Sequence, residues 1–427
     1  MSCIILILIL LALIAVRVPI AIALGLSSII ILLSFTAQQI NSLATQFSHT
    51  MEIVPLLSLP FFVLAANFMT TGGVAQRLIA LANALVGRFR GGLAMASLLA
   101  CALFSAVSGS APATVIAVGS VMIAGMVKSG YKKEFAAGVI CNAGTLGILI
   151  PPSLVMVIYG AVSETSIGNL FLAGIVPGIL LTIIMMIVIA VIAHIQDLPR
   201  FKVVPLKETI GLCFDAFPGL FTLVIILGGI YSGLFSPTEA AAVAAVYAFL
   251  ISTFYYRDLK LSQVKGVLLE SAKITAMLMF IIANAYLFKF VLTTEQIPQD
   301  AAAWIVGLGL PAWGFLIAMN ILLLLAGNFM EPTSVVLVVT PLVFPIAMEL
   351  GIDPVHLGII MVLNMQMGLV SPPVGLNLFV TSSVAKMSLE NVIKASLPWL
   401  LVLLFALGLI TYIPAISLAL PRALGVL

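Results

Sequence analysis

"GTLGILIPPS", residues 144–153, decides how this chain is read. It lies between "FAAGVICNA" (135–143) and "LVMVIYGAV" (154–162), a run apolar enough to form one membrane helix. Yet Pro151 and Pro152 remove two backbone donors from its middle, and Gly144 and Gly147 loosen the turn before them. No water is at hand in a bilayer to repair those losses. A helix broken there is tolerated only where the freed groups face protein or a cavity.

The surroundings support a membrane setting. Of the 427 residues, 63% are hydrophobic and 8% charged, and the mean hydropathy is +1.30. That excludes a soluble domain. Apolar stretches of spanning length recur near 2–16, 19–35, 53–70, 135–162, 171–193, 215–234, 238–256, 272–292, 355–385 and 397–418. They do not alternate polar and apolar residues as barrel strands do, so the fold expected is an all-α polytopic membrane protein. The run 1–16 lacks a basic leader and a small-residue cleavage site, and reads as a retained first span. Cys3, Cys101, Cys141 and Cys213 have no paired spacing and read as buried free thiols.

Basic residues orient the spans. Arg17 puts the first loop in the cytoplasm, the loop 36–52 lacks Lys and Arg, and Arg77, Arg88 and Arg90 return inside. Two apolar pairs, 91–127 and 302–348, stand apart. The first begins after Arg88 and Arg90 and ends at Lys128, Lys132 and Lys133, so both ends want the cytoplasm. Its middle, "SAVSGSAPAT" (105–114), is small, polar and uncharged, which suits the tip of a re-entrant hairpin near Ser108–Pro112. Glu164 then falls outside, Arg200, Lys202 and Lys207 inside, "FSPTEAA" (235–241) outside, and Arg257, Lys260 and Lys265 inside. The second pair leaves from Glu295 and Asp300 and ends at "ELGIDP" (349–354), so it enters from the opposite side, with its break at "GNFMEPTS" (327–334). Lys386 and Lys394 return inside; Lys289 and Arg422 are the exceptions.

A repeat emerges. A hairpin broken at "SGSAP" precedes "GTLGILIPPS", and a hairpin broken at "GNFMEP" precedes "MQMGLVSPPVG" (365–375). Pro112 and Pro332 are 220 positions apart, and Pro151 and Pro372 are 221. One copy opens from the inside and the other from the outside. Such an inverted repeat, built around discontinuous helices, points to a secondary transporter. Each interrupted helix presents unpaired carbonyls, which attract cations, and unpaired N–H groups, which attract anions. Breaks meeting near mid-membrane can hold Na⁺ and a carboxylate. The segments 100–125, 135–160, 315–345 and 360–380 contain no Lys, Arg or His, and their one acid is Glu331. Glu331 is a functional candidate or a cap for the helix starting near Thr333. Without a buried cation, an anionic substrate needs Na⁺ and the helix ends for its positive potential, which couples ion to substrate.

The matching stretches carry a family resemblance. They are "LPFFVLAANFMTTGGVAQRL" (59–78), "VGRFRGGLAMA" (86–96), "FSAVSGSAPAT" (104–114), "GTLGILIPPSLVMVIYG" (144–160), "SIGNLFLAGIVPG" (166–178), "SPTEAAAVA" (236–244), "GIDPVHLGIIMVLN" (351–364) and "SPPVGLNLFV" (371–380). The chain resembles the large membrane subunit of tripartite ATP-independent periplasmic (TRAP) transporters. The resemblance implies an elevator transporter of the bacterial cell inner membrane, multi-pass and Na⁺-coupled. It imports an organic anion of the sialic acid or C4-dicarboxylate class, delivered by a periplasmic substrate-binding protein. A small four-helix membrane subunit braces the scaffold; since residue 1 already stands at the first span, that subunit is expected as a separate chain.

The implied division is scaffold at 1–90 with an arm helix, transport-domain repeat one at 91–195, scaffold at 196–300, repeat two at 301–395 and a C-terminal span at 396–427. By position, the resemblance implies one sodium site at Ser105, Ser108, Gly109, Ser110 and Asn142. A second falls at Gly327, Gly368, Ser371 and Val374, largely through carbonyls. Thr145, Ser153, Asn328, Gln366 and Asn377 lie between and are substrate candidates.

Other classes fit less well. A membrane enzyme lacks support, because no HExxH, GxSxG, Cys/His cluster, paired intramembrane acids or P-loop occurs. His49, His194 and His356 fall near segment ends and read as interfacial. A channel does not account for inverted hairpins. A Na⁺-coupled carboxylate transporter working without a binding protein is the alternative.

Overall fold

The structure, a computed structural model, describes residues 2–16, 18–35, 40–200, 204–297, 299–300, 303, 307 and 309–427. Arg17, Lys202 and the side chain of Cys3 lie outside the described residues, as does part of the expected start of the second hairpin. Among the described residues the elements are helices, and eight of them are long and apolar enough to cross a membrane.

Two short apolar helices, α1 (Ser2–Ala15) and α2 (Ile20–Phe35), open the chain. An amphipathic helix α3 (Ile40–Met51) follows, within the stretch 36–52 that the sequence reads as a loop. A 3₁₀ turn at Val54–Leu57 leads into α4 (Ser58–Thr71), and α5 (Val74–Val86) is again amphipathic. The first hairpin is α6 (Gly92–Ser108) and α7 (Ala111–Lys128). The quoted run is indeed broken: α8 (Lys133–Ala143), a 3₁₀ turn at Gly144–Ile148, and α9 (Leu154–Ser163). Three long helices come next, α10 (Ile167–Ile195), α11 (Leu206–Tyr231) and α12 (Pro237–Leu250), the last ending in a π turn at Ile251–Tyr255. After α13 (Leu261–Thr294) the second hairpin is α14 (Ala312–Gly327) and α15 (Pro332–Glu349). The second broken span is α16 (Pro354–Gly368) and α17 (Leu376–Ala385). The span expected at 397–418 is instead α18 (Leu389–Tyr412), which stops ahead of Pro414, and a separate short helix α19 (Ala415–Ala423).

Packing sorts these helices into two sets. Helices α2, α4, α11, α12 and α13 pack on one another, and α5 lies against both α11 and α6 of the first hairpin; the hairpins, α8, α16, α17 and α18 pack together. α10 joins this second set and α19 lies along it. The sets meet where α4 and α11 touch α6, where α13 touches α15, and where α13 reaches the C-terminal end of α9. Lys289, an exception to the charge sorting, donates from Nζ to the Val162 carbonyl (2.9 Å) and sits 3.5 Å from the Glu164 carboxylate. Tyr286 donates to the Ala161 carbonyl (2.9 Å). Both thus satisfy carbonyls that α9 leaves open at its end. Arg77 of α5 binds Asp258 (2.6 Å) and stacks 3.8 Å over the Tyr256 ring, whose hydroxyl donates to the Asp215 carbonyl (2.8 Å).

Two expectations are corrected. Cys101 and Cys141 are buried, but Cys213 is exposed, because it sits on the outer face of α11 among Ile210, Phe214 and Phe217, where a bilayer replaces a core. His49 and His194 are exposed, whereas His356 is 2% exposed. Its Nδ1 lies 2.7 Å from Ser417 Oγ and its Nε2 3.2 Å from the Thr411 carbonyl, so α19 folds over it.

Candidate cation and substrate site at the two helix breaks

The first hairpin turns where its sequence demands. Gly109 ends α6 at φ +62°, a left-handed conformation that favours glycine, and its N–H bonds the Ser105 carbonyl (2.7 Å). Ser110 then caps α7, its Oγ accepting from the Ala113 N–H (3.5 Å), with Pro112 in the first turn. Thr114 gathers the tip: its hydroxyl donates to the Ser110 carbonyl (2.9 Å) and lies 2.7 Å from Ser105 Oγ and 3.3 Å from Ser108 Oγ. Ser105 also reaches the Gly144 carbonyl at the first break (3.4 Å). Gly147 is required there, since a Cβ would overlap the Ser105 side chain.

The second tip has the same relation to the second break. Gly368 backs directly on Gly327, and a Cβ at Gly368 would stand 2.7 Å from the Gly327 backbone. Gly147 and Gly368 are 221 positions apart, the same separation as Pro151 and Pro372. The bonds Pro151–Pro152 and Pro372–Pro373 are both cis. Beyond the second pair the chain folds back, so that the carbonyls of Leu369 and Ser371 converge on Gly375, each 2.8 Å from where its Cβ would be. Glu331 occupies the N-cap position of α15 from an exposed position, but its side chain makes no capping bond to a backbone N–H; it accepts from Ser334 Oγ (3.3 Å).

Side chains of the second repeat close the first break. Gln366 is 1% exposed, and its amide, oriented to suit both neighbours, donates to the Thr145 carbonyl (3.1 Å) and accepts from the Leu149 N–H (2.8 Å). Asn377 of α17 donates to the Cys141 carbonyl (3.3 Å). The two tips and two breaks therefore form one connected region. Asn142 joins it from α8, but its amide nitrogen is held by the Gly138 carbonyl (2.9 Å) and Ser396 Oγ of α18 (2.8 Å), neither of them at the hairpin tip. Thr145 donates to the Asn142 carbonyl (2.7 Å) and Ser153 caps α9 through the Met156 N–H (3.4 Å), so each already serves the backbone. Val374 stands apart at 41% exposure.

Buried oxygens remain without a partner in this region: Oδ1 of Asn142, Asn328, Asn364 and Asn377, and Oγ1 of Thr381. Buried polar atoms are normally satisfied, so each asks for an ion, a water or a ligand group. Among the described residues no three His, Cys, Asp or Glu side chains gather to hold a metal ion. The oxygens available are carbonyls, hydroxyls and amides, a hard-oxygen set suited to a weakly held monovalent cation. The sequence reading missed Thr114, although it sits one helical turn past Ser110 in a quoted motif. It also missed Asn364, which donates to Oδ1 (2.8 Å) and the carbonyl (3.0 Å) of Asn320 on α14.

The fold is one found among membrane transporters. The solved YdaH transporter of Alcanivorax borkumensis superposes with a TM-score of 0.62 over 90% of this chain and 87% of that one, at 16% identity. A family model described as "Tripartite ATP-independent periplasmic transporter, DctM component" matches residues 7–416. The C4-dicarboxylate TRAP transporter large permease protein of Pseudomonas aeruginosa is 60% identical over 400 residues, covering 94% of each chain. The sialic acid TRAP transporter large permease protein of Vibrio cholerae is 36% identical over 400 residues, covering 93% of this chain and 94% of its own. The chain belongs to the DctM family, the large permease components of TRAP transporters.

Proposed function

We propose that this chain is the permease through which a Na⁺ gradient drives import of a C4-dicarboxylate across the bacterial inner membrane. A periplasmic binding protein delivers the substrate, and a separate small membrane subunit braces the scaffold. The observation that carries this reading is the interlocked pair of breaks, with buried amide oxygens left unpartnered in a region free of cationic side chains. Na⁺ as co-transported cargo sits against carbonyl and hydroxyl oxygens near Ser105, Ser108 and Thr114, and near Gly327, Gly368 and Ser371. The substrate carboxylates then meet that positive potential and the N–H groups that open α9 and α17.

The set containing both hairpins moves as one body against the set built on α4, α11, α12 and α13, as an elevator. On this reading α18 and α19 travel with the hairpins, since α18 packs on α8, α16 and α17, and α19 on α10 and α16. No covalent step is involved. The 60% identity to a permease named for C4-dicarboxylates favours that class over sialic acids. The test is uptake into proteoliposomes holding the chain, its small subunit and the binding protein. Succinate, fumarate or malate should be imported and sialic acid refused; import of sialic acid alone would reverse the substrate assignment.

A further inference from the structure

A second feature lies away from the breaks. An open groove of about 490 Å³ runs beside the C-terminal half of α10. One wall is a stripe on α10, Ile183, Ile187, Ala190 and His194, spaced by four, three and four residues and so on one helix face. Phe89 and Met95, at the entry to α6, form the other wall. Arg90 and Arg200 head the groove. They come from separate connectors, one before α6 and one after α10, and an isolated antiparallel backbone bridge sets them side by side. Arg90 lies 3.0 Å from Asp197, which shares its charge. Among the described residues no carboxylate is within ion-pair range of Arg200. The head thus combines two guanidiniums, an imidazole and one carboxylate above an apolar trough.

The dimensions say what fits. Ile183 to His194 is eleven residues, about 16 Å along the helix axis. Half the hydrocarbon core of a bilayer is about 15 Å. The trough is therefore one leaflet deep, with its cationic end at the level of the headgroups. By the charge sorting, that end is the cytoplasmic one, where anionic lipid raises the local negative potential. We infer that the groove holds one anionic phospholipid of the cytoplasmic leaflet. Its acyl chain lies along Ile183 and Ile187, and its phosphate is shared by the forks of Arg90 and Arg200. A zwitterionic lipid fits less well, because its own ammonium group competes for the phosphate and meets two guanidiniums. Both connectors that cross at this point lead between the two packed helix sets, so the bound lipid clamps their junction. The inference needs the chain to lie in a membrane, and is independent of the sodium and substrate assignments.

The test is native mass spectrometry of the purified full-length chain after exchange with phosphatidylglycerol or phosphatidylcholine. One phosphatidylglycerol should be retained in preference to phosphatidylcholine. Arg200→Gln, which has no ion pair to lose, should weaken that retention about fivefold, the usual effect of one arginine at an anionic surface. Arg200→Lys should keep part of it, and Lys128→Gln, a cation outside the groove, should leave it unchanged. Because Arg90→Gln also breaks the contact to Asp197, its effect is read only beside an unchanged unfolding midpoint. Equal retention of the two lipids, or equal retention by the parent chain and Arg200→Gln, overturns the inference.

Discussion

The two breaks are built from the same parts and sit in different surroundings. Each has a hairpin tip against a glycine of the broken helix, a proline pair, and a second half-helix beginning just beyond it. At the first, Pro151, Pro152 and Ser153 are buried, and the tip at Ser108 and Gly109 faces Phe62 and Ala65 of α4 and Thr222 and Ile226 of α11. At the second, Val374 is 41% exposed and Phe329, on the tip, 69%. Repetition in sequence has copied the local device but not what covers it. Cover at the first tip comes from α4 and α11, which lie outside the repeat. Alternating access requires such inequality between equivalent halves, and on the elevator reading a second state exchanges the two exposures.

The largest effect concerns whether the halves are inverted at all. Single cysteines replacing Lys128 and Glu349, both exposed, should label from opposite sides of the membrane, the first from the cytoplasm only. Labelling of both from one side breaks the comparison outright.

Next come the two contact glycines. Gly147→Leu and Gly368→Leu should each abolish uptake. From sequence alone, the second change looks compatible with normal folding, since it adds apolar volume to an apolar segment. The backbone contact with Gly327 says otherwise, and the hairpin must move to admit a side chain. A lowered unfolding midpoint should accompany the loss in both variants, and a difference between them would measure how unequal the two tips are.

A smaller effect tests the tie between the halves. Gln366→Ala removes the amide that links the Thr145 carbonyl to the Leu149 N–H; the N–H keeps the Leu146 carbonyl (3.2 Å), so the cost is about 1 kcal/mol. Asn377→Ala removes one longer bond and should cost less. Denaturant unfolding of the two variants in matched micelles would rank them. An equal cost would mean that Gln366 does not bridge the breaks.

Much of this was legible in the sequence, for reasons that differ by residue. Prolines and glycines report backbone geometry locally, so both breaks and both tips could be read from one dimension. The charge sorting likewise flagged Lys289, whose contacts with Val162 and Glu164 account for the exception. What stayed hidden depends on partners far away in sequence. Gln366 gave no sign that its amide would cap the other break, and His356 none that α19 would cover it. Asn142 was placed by position at the first tip and break; its amide nitrogen is held by Gly138 and by Ser396 of α18, and its Oδ1 is left without a partner. Thr114 was within reach, because a hydroxyl one turn after a capping serine faces the same tip.

The central claim is that the breaks exist to hold Na⁺. It is tested most directly by uptake into proteoliposomes as a function of Na⁺ concentration, comparing the parent chain with Ser108→Ala and Ser371→Ala. The account predicts no uptake when K⁺ replaces Na⁺, and a Na⁺ requirement raised roughly fivefold in each variant, the loss of about one hydroxyl contact with carbonyls retained. Full uptake on a proton gradient alone, with the Na⁺ response of both variants unchanged, would contradict it.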